Sequence, residues 1–196
     1  MPSPALQRFT GILLRADTIT EVGISGLSRE KLQGLYGAAF TAQVAAWNAY
    51  VVALVEVFYT EVADPASATF HAMHTISSAH SRQQLERFNT PNSENTRNLL
   101  LLCTGYDPWN DWAWPRSSLN ALQVRMRLNE ILRVRHSFAH GFTMPAYAWN
   151  QTPQGDTRIN RRLLSWNRAF LNHIVAKTDH GMKSHLQNTY NRALTW

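Results

Sequence analysis

The sequence predicts an all-α fold, a bundle of about five main helices with short terminal helices. Apolar residues recur at spacings of three and four along most of the chain, which is the helical period, and no segment alternates convincingly as a strand would. A chain of 196 residues suits one domain and can bury a sizeable core. We therefore expect a single domain with an N-terminal extension over 1–27, a core bundle over 28–178 and a C-terminal segment over 179–196.

The first strong helix is predicted from Ser28 to Val62. Ser28 is a suitable N-cap, and Glu30 places an acidic side chain in the first turn. Residues 49–58 are apolar almost all round the helix, which predicts a central position in the bundle. One continuous apolar stripe runs along it, formed by Tyr36, Phe40, Val44, Trp47, Val51, Leu54 and Phe58.

Two further helices are expected before the middle of the chain. Asp64 followed by Pro65 is typical of an N-cap with proline in the first turn, and this helix should extend to about Phe88. The Thr-Pro-Asn sequence at 90–92 breaks it, and a shorter helix follows over 93–103.

An irregular segment over 104–116 separates these helices from the next one. It holds three tryptophans, Trp109, Trp112 and Trp114, between two prolines. Indole rings can stack on RNA bases, but prolines and tryptophans more often form a lid over a helical core. We favour the lid.

The second half of the chain is predicted to hold two long helices. Ser117 or Ser118 can cap the first, and Gly141 suits the left-handed residue that ends it. A loop over 142–156 follows. Asp156 is expected to cap the last substantial helix, which should run to about Thr178, and Gly181 to separate the C-terminal segment.

The net charge of +6 comes mainly from arginine, because sixteen of the nineteen basic residues are arginines. Arginine suits bidentate phosphate contacts and stacking on bases. The arginines cluster on two predicted helices, so nucleic-acid contact is favoured over a merely solvated basic face. The predicted RNA-binding residues are Arg125, Arg127, Arg133, Arg161 and Arg162.

The sequence Arg135-His136-Ser137-Phe138-Ala139-His140-Gly141 closes the helix before the loop. Arginine supplies a permanent cation for a phosphate, and histidine can accept or donate a proton near neutral pH. Together they could cleave RNA without a metal. Five positions place Arg135 and His140 roughly 140° apart around a helix. They can converge only if the chain leaves the helix near His140 or if a partner chain completes the site.

The same residues resemble the signature of HEPN domains. The Ala-His-Gly ending, the helix over 99–103 and a Gly-x-Asp-Pro-Trp turn over 105–109 are similar to the RiboL-PSP branch, and the resemblance spans roughly residues 28–178. It implies an up-and-down bundle that dimerises around the motif. It also implies a metal-independent endoribonuclease, commonly in toxin–antitoxin, anti-phage or RNA-repair settings.

By this resemblance Arg135 and His140 are catalytic, and His136 helps to orient the site or the RNA. The expected partners are RNA, a second copy of the chain and a cognate antitoxin or an RNA-processing protein. Toxins of a related branch that are silenced by nucleotidylation carry a tyrosine where this chain has Phe142, so that regulation is not implied. Some domains of the superfamily have lost cleavage and serve as RNA-binding or protein-interaction dimers, which is the alternative function.

Glu56 lies in the apolar stretch 51–58, where a charge is costly unless it is paired. It could orient Arg135, or it could pair with another arginine or form a dimer contact. We favour the structural interpretation slightly.

We predict no metal and no cofactor. His71, His74 and His80 lack acidic or cysteine ligands at a useful spacing, and no Gly-rich phosphate loop occurs. The lone Cys103 excludes an intramolecular disulfide and is expected to be buried. The most apolar stretch, 38–62, is interrupted by polar residues, so no membrane-spanning helix is expected, and the protein is predicted to be cytoplasmic.

Overall fold

The computed structural model describes residues 1–21, 26–64 and 68–196. Within these ranges the chain forms helices and no strand, which confirms the all-α fold. The six α-helices are α1 Pro4–Glu21, α2 Arg29–Val62, α3 Ala68–Arg87, α4 Ser93–Thr104, α5 Ala121–His140 and α6 Arg161–Tyr190. Two short 3₁₀ turns, Pro108–Asn110 and Pro115–Ser117, lie between α4 and α5.

Helix α2 is the centre of the bundle, as its all-round apolar surface predicts. It begins after Ser28, whose side chain accepts the Lys31 N–H, and it contacts α1, α3, α4, α5 and α6. Trp47, Tyr50 and Leu54 are completely buried. By length and composition alone α2 could also cross a membrane, but 61% of its most apolar window is buried inside the protein, as in a core helix.

Helix α1 is part of the core, although its residues were expected to form only an N-terminal extension. Ala5, Phe9, Leu13 and Ala16 follow one another at helical spacings and are buried, mainly against α2. Before α1, the buried Ser3 hydroxyl donates to the Asp179 carboxylate of α6. The chain terminus is therefore fixed to both long helices.

Helix α6 continues through Gly181 to Tyr190, so the expected break there is wrong. Gly181 is buried, and a Cβ at this position would overlap the Tyr106 hydroxyl and the Asp111 carboxylate. The Tyr106 hydroxyl donates to Asp111 Oδ2 at 2.5 Å. A glycine is thus required at position 181 because there is no space for a side chain inside the helix, and not because the helix ends there.

The N-caps of α5 and α6 differ from those predicted. Asn120 caps α5 in a reciprocal capping box with Gln123, in place of Ser117 or Ser118. Asn160 caps α6, while the predicted cap Asp156 is exposed and lies 3.7 Å from the Arg29 guanidinium. Each asparagine directly precedes the first helical residue, which is where a side-chain oxygen can reach the N–H three residues on.

Both bounds of α4 and the end of α3 are as expected to within one residue. Helix α4 is capped by Asn92 and ends at Gly105 in a left-handed conformation, φ 75°. Helix α3 ends at Arg87, and its predicted Asp64–Pro65 start includes residues outside the described ranges.

The three-tryptophan segment packs on the bundle, in agreement with the lid interpretation. Trp112 is completely buried, and its Nε1–H donates to Thr178 Oγ1 of α6 at 2.9 Å. Trp114 stacks on His173 at 4.9 Å. Cys103 is also buried, as expected, and this burial raises the pKa of its thiol.

We predict that Gly181→Ala lowers the free energy of unfolding by about 1–3 kcal/mol, because the new methyl group must displace Tyr106 and Asp111. Urea denaturation followed by circular dichroism measures the change. Gly11→Ala is the matched control, since it lies inside α1 with nothing within 4 Å of its added Cβ. It should raise stability by about 0.5–1 kcal/mol. Equal effects at both positions would contradict the packing role of Gly181.

Candidate functional site

Two imidazole rings lie side by side at the exposed C-terminal end of α5. The ring centroids of His136 and His140 are 4.2 Å apart, and both residues are exposed. Phe142 lies 5.7 Å from His136 and 5.8 Å from His140 and is 63% exposed. Two groups that can exchange protons are therefore adjacent within one chain and open to a ligand.

The local sequence accounts for this arrangement. His136 and His140 are four positions apart, so they project from the same face of a helix. Helix α5 remains regular up to His140, and Gly141 then takes the left-handed conformation, φ 67°. The Phe142 N–H donates to the Ser137 carbonyl at 3.0 Å, which turns the chain back so that Phe142 reaches the imidazoles.

Arg135 projects from a different side of α5. It continues the buried stripe of Val124, Leu128 and Ile131, which precede it at helical spacings of eleven, seven and four residues. The residue is half-buried, and its Nε is buried without a hydrogen-bond partner. Because α5 is regular through His140, a bend near the histidine does not bring Arg135 and His140 together. Arg135 and His140 can therefore meet in one site only if a second chain supplies one of them.

Arg133 shares the face of the imidazole pair instead. It precedes His140 by seven positions, so the two side chains leave the helix only about 20° apart. Arg133 is exposed, and no hydrogen bond or ion pair engages it within the described residues. A free guanidinium therefore accompanies His136 and His140 on the outer surface of α5.

Glu56 does not contact Arg135 in the described structure. It is exposed on α2, and its carboxylate lies 3.3 Å from the Arg8 guanidinium of α1. The expectation of a buried charge is wrong, because this position of α2 faces outward beside α1. The structural alternative, an ion pair with another arginine, is the one observed.

Two of the predicted RNA-binding arginines are engaged by the fold. The Arg125 guanidinium lies 4.0 Å from the centroid of the Trp109 ring. Arg127 Nε lies 3.0 Å from Glu130, and its guanidinium is over the rings of Trp166 and Trp149 at 4.8 and 5.3 Å. Partial burial lowers the pKa of Arg127. Its partners within the protein leave little of this guanidinium for RNA.

The two predicted arginines at the start of α6 are open to solvent. Arg161 and Arg162 are exposed and form no ion pair among the described residues. Arg162 also borders a cavity of about 310 Å³, whose walls include the indoles of Trp149 and Trp166. Trp149 and Trp166 had no predicted role. No local pattern links them to Arg127, because Trp149 lies in the loop after α5 and Trp166 lies on α6.

Of the three histidines of α3, one forms a hydrogen bond within the fold and two are exposed. His74 hydrogen-bonds the Tyr59 carbonyl through Nε2 at 2.8 Å, and His71 and His80 are exposed. Over 1–21, 26–64 and 68–196, no group of three or more histidine, cysteine or acidic side chains could hold a metal ion.

The chain matches no family model, and no curated protein or solved structure is significantly similar to it. The HEPN resemblance therefore rests on the motif in α5 and on its helical surroundings.

We predict that Arg127→Ala lowers the free energy of unfolding by about 1–3 kcal/mol, because it removes two cation–π contacts and the positive charge that pairs with Glu130. Arg133→Ala is the matched control on the same helix. It removes an exposed, unengaged side chain and should change stability by less than about 0.5 kcal/mol. Urea denaturation of both variants tests this. An unchanged free energy of unfolding for Arg127→Ala would show that this guanidinium does not stabilise the fold.

Proposed function

We propose that the protein is a metal-independent endoribonuclease whose active site lies at the end of α5. The observation that carries the proposal is the exposed imidazole pair of His136 and His140, 4.2 Å apart, within a motif that resembles the HEPN signature. The basic surface of the chain, with a net charge of +6, suits a polyanionic substrate.

The proposed reaction uses the RNA itself as nucleophile. One imidazole removes the proton of a 2′-hydroxyl while that oxygen attacks the adjacent phosphorus. The bond from phosphorus to the 5′ oxygen breaks, and a second, protonated imidazole gives that oxygen its proton. The products are a 2′,3′-cyclic phosphate and a 5′-hydroxyl. Each proton transfer contributes roughly 10²–10⁴-fold to the rate, and a guanidinium stabilises the charge that grows on the phosphate oxygens.

A second copy of the chain would complete this site. Within one chain Arg135 and His140 leave α5 about 140° apart, so they can act on one phosphate only if a partner supplies one of them. A two-fold axis near the end of α5 would gather two copies of each imidazole and guanidinium. The biological setting that we propose is a toxin, an anti-phage effector or an RNA-repair enzyme, with a cognate antitoxin as a further partner.

We predict that the wild-type protein cleaves RNA in the presence of EDTA and leaves 2′,3′-cyclic phosphate ends. His140→Ala should lower the rate at least about 100-fold, because proton transfer is lost. The assay uses end-labelled tRNA, rRNA and mRNA, with 2′-O-methyl RNA as the substrate that lacks the nucleophile. The cleavage rates of Arg133→Ala and Arg135→Ala are also compared. The variant with the larger loss identifies the guanidinium that stabilises the phosphate. The proposal would be refuted if the wild-type protein left the tRNA, rRNA and mRNA substrates all intact.

We also predict that two inactive variants restore each other if the site is shared. Arg135→Ala and His140→Ala chains, mixed under conditions that exchange subunits, form heterodimers in which an intact Arg135 can meet an intact His140 of the other chain. Partial activity should return, and light scattering should show a dimer. A mixture no more active than its separate components would contradict a site in which one chain supplies Arg135 and the other supplies His140.

A second candidate function is RNA binding without cleavage by the same helical dimer. It is favoured by one observation, that α5 holds Arg135 and His140 on different sides. It predicts that RNA binding survives His140→Ala unchanged and weakens steeply as salt rises. The cleavage assay separates the two candidates, because only the first predicts cyclic phosphate ends.

A further inference from the structure

A cavity of about 310 Å³ opens beside the start of α6, away from the imidazole pair. Its lining residues are Trp149, Gln151, Asn160, Arg162, Leu163 and Trp166. The volume is at the lower end of the range typical of small-molecule sites, so it suits one small planar group rather than a large ligand.

The two indole walls of the cavity are held in place by the fold. The Arg127 guanidinium lies over both rings, and Trp149 Nε1–H donates to Glu130 at 2.7 Å. Trp166 stacks on Phe170 with 5.5 Å between the centroids.

Both tryptophans remain partly exposed. Tyr147 and Phe40 also stack on the Trp149 ring, with centroids 5.8 and 6.4 Å away. A flat ligand ring can therefore contact only the parts of the two indoles that these neighbours leave exposed. Those parts are fixed in orientation before a ligand arrives, which lowers the entropic cost of binding.

The polar groups of the cavity favour a ligand that carries negative charge. Arg162 is exposed and unpaired in the described part of the chain, and no carboxylate lines the cavity. Glu130, behind the indoles, is already paired with Arg127. Arg162 therefore offers a forked donor to an anion such as a phosphate.

Two amide side chains add hydrogen-bonding groups suited to the edge of a base. Asn160 Oδ1 accepts the Leu163 N–H, which leaves the Asn160 amide nitrogen as a donor. Gln151 is exposed, and its side-chain amide makes no hydrogen bond among the described residues. An amide presents both a donor and an acceptor, as the edge of a nucleobase does.

We propose that this cavity binds one base of single-stranded RNA, with Arg162 on the adjoining phosphate. The proposal rests on RNA being the substrate, as proposed above, and adds an anchoring site to it. Aromatic contacts to a base combined with arginine contacts to a phosphate are the usual chemistry of single-stranded RNA recognition. Arg127 and His140 are 13 positions apart on α5, about 20 Å along the helix, so the anchor is separate from the point of cleavage.

The test measures binding of a short, fluorescently labelled 2′-O-methyl oligoribonucleotide by anisotropy over a range of salt concentrations. This probe lacks the 2′-hydroxyl nucleophile, so cleavage does not interfere. Arg162→Ala should weaken binding roughly fivefold or more. It should also reduce the slope of log affinity against log salt by about 0.7, the value for one phosphate contact on a single strand. Gln151→Ala should weaken binding without changing that slope.

Arg87→Ala is the matched control, an exposed arginine of α3, a helix that contacts α2 and α4 but not α6. All three substituted side chains are exposed, and circular dichroism verifies that the variants fold. Equal losses of affinity for Arg162→Ala and Arg87→Ala would show that only the net charge matters, and would overturn the proposal. So would a wild-type protein that shows no saturable binding of the probe.

The anchor and the nuclease can fail separately. His140→Ala should retain saturable binding of the probe, and that binding should still weaken when Arg162→Ala is added. Saturable, Arg162-dependent binding without any RNA cleavage would support the anchor and refute the nuclease. Cleavage of unmodified RNA at an unchanged rate by Arg162→Ala and Gln151→Ala, with unchanged binding of the probe, would refute the anchor and leave the nuclease intact.

Discussion

The apolar circumference of α2 is the constraint on which the rest of the fold depends. This helix of 34 residues is apolar on nearly every side over residues 49–58, so it must be covered on most sides there. Burying each large side chain contributes roughly 1.5–3 kcal/mol, so the arrangement that covers most of α2 is strongly favoured. Helices α1, α5 and α6 provide most of that cover, and the tryptophan segment closes the remaining gap with Trp112 against Trp47.

This constraint also fixes the candidate site. Helix α5 turns its apolar stripe of Val124, Leu128 and Ile131 toward the core, and Arg135 is the next residue of that stripe. His136 and His140 must then face outward, because they lie on the opposite side of the same regular helix. The outward side therefore presents two imidazoles and Arg133, whereas Arg135 reaches the surface only at the edge of the packed face. A site that uses Arg135 and His140 together has to be assembled from more than one chain.

Local signals in the sequence predicted α2, its Ser28 cap and the Gly141 end of α5, because neighbouring residues alone determine these features. The prediction missed the features that depend on distant residues. Gly181 continues a helix because Tyr106 occupies the space beside it, and Glu56 is exposed because its side of α2 faces Arg8. The apolar spacing of α1 forms a stripe, but this stripe is part of the core only because α2 lies beneath it.

The same reasoning explains why the imidazole pair was only partly predictable. Gly141 marked the helix end, but His140 was expected to act with Arg135, and His136 only to orient the site or the RNA. The spacing of four does place His136 and His140 on one face of a helix. Phe142 joins them because the turn after Gly141 brings the chain back, and its N–H bonds the Ser137 carbonyl. Whether a second chain meets this end of α5 is a property of the assembly, so neither the sequence pattern nor one folded chain determines it.

The arginines divide into two groups, and this division limits what the net charge can mean. Arg8, Arg97, Arg127 and Arg168 lie within 3.3 Å of a carboxylate, and Arg97 and Arg125 lie over the Trp109 ring. These arginines are engaged in contacts that stabilise the fold. Arg133, Arg161 and Arg162 are exposed without such partners in the described ranges. An interaction with RNA gains most from arginines outside the first group, because a guanidinium that leaves a carboxylate or an indole for a phosphate exchanges one favourable contact for another and gains little.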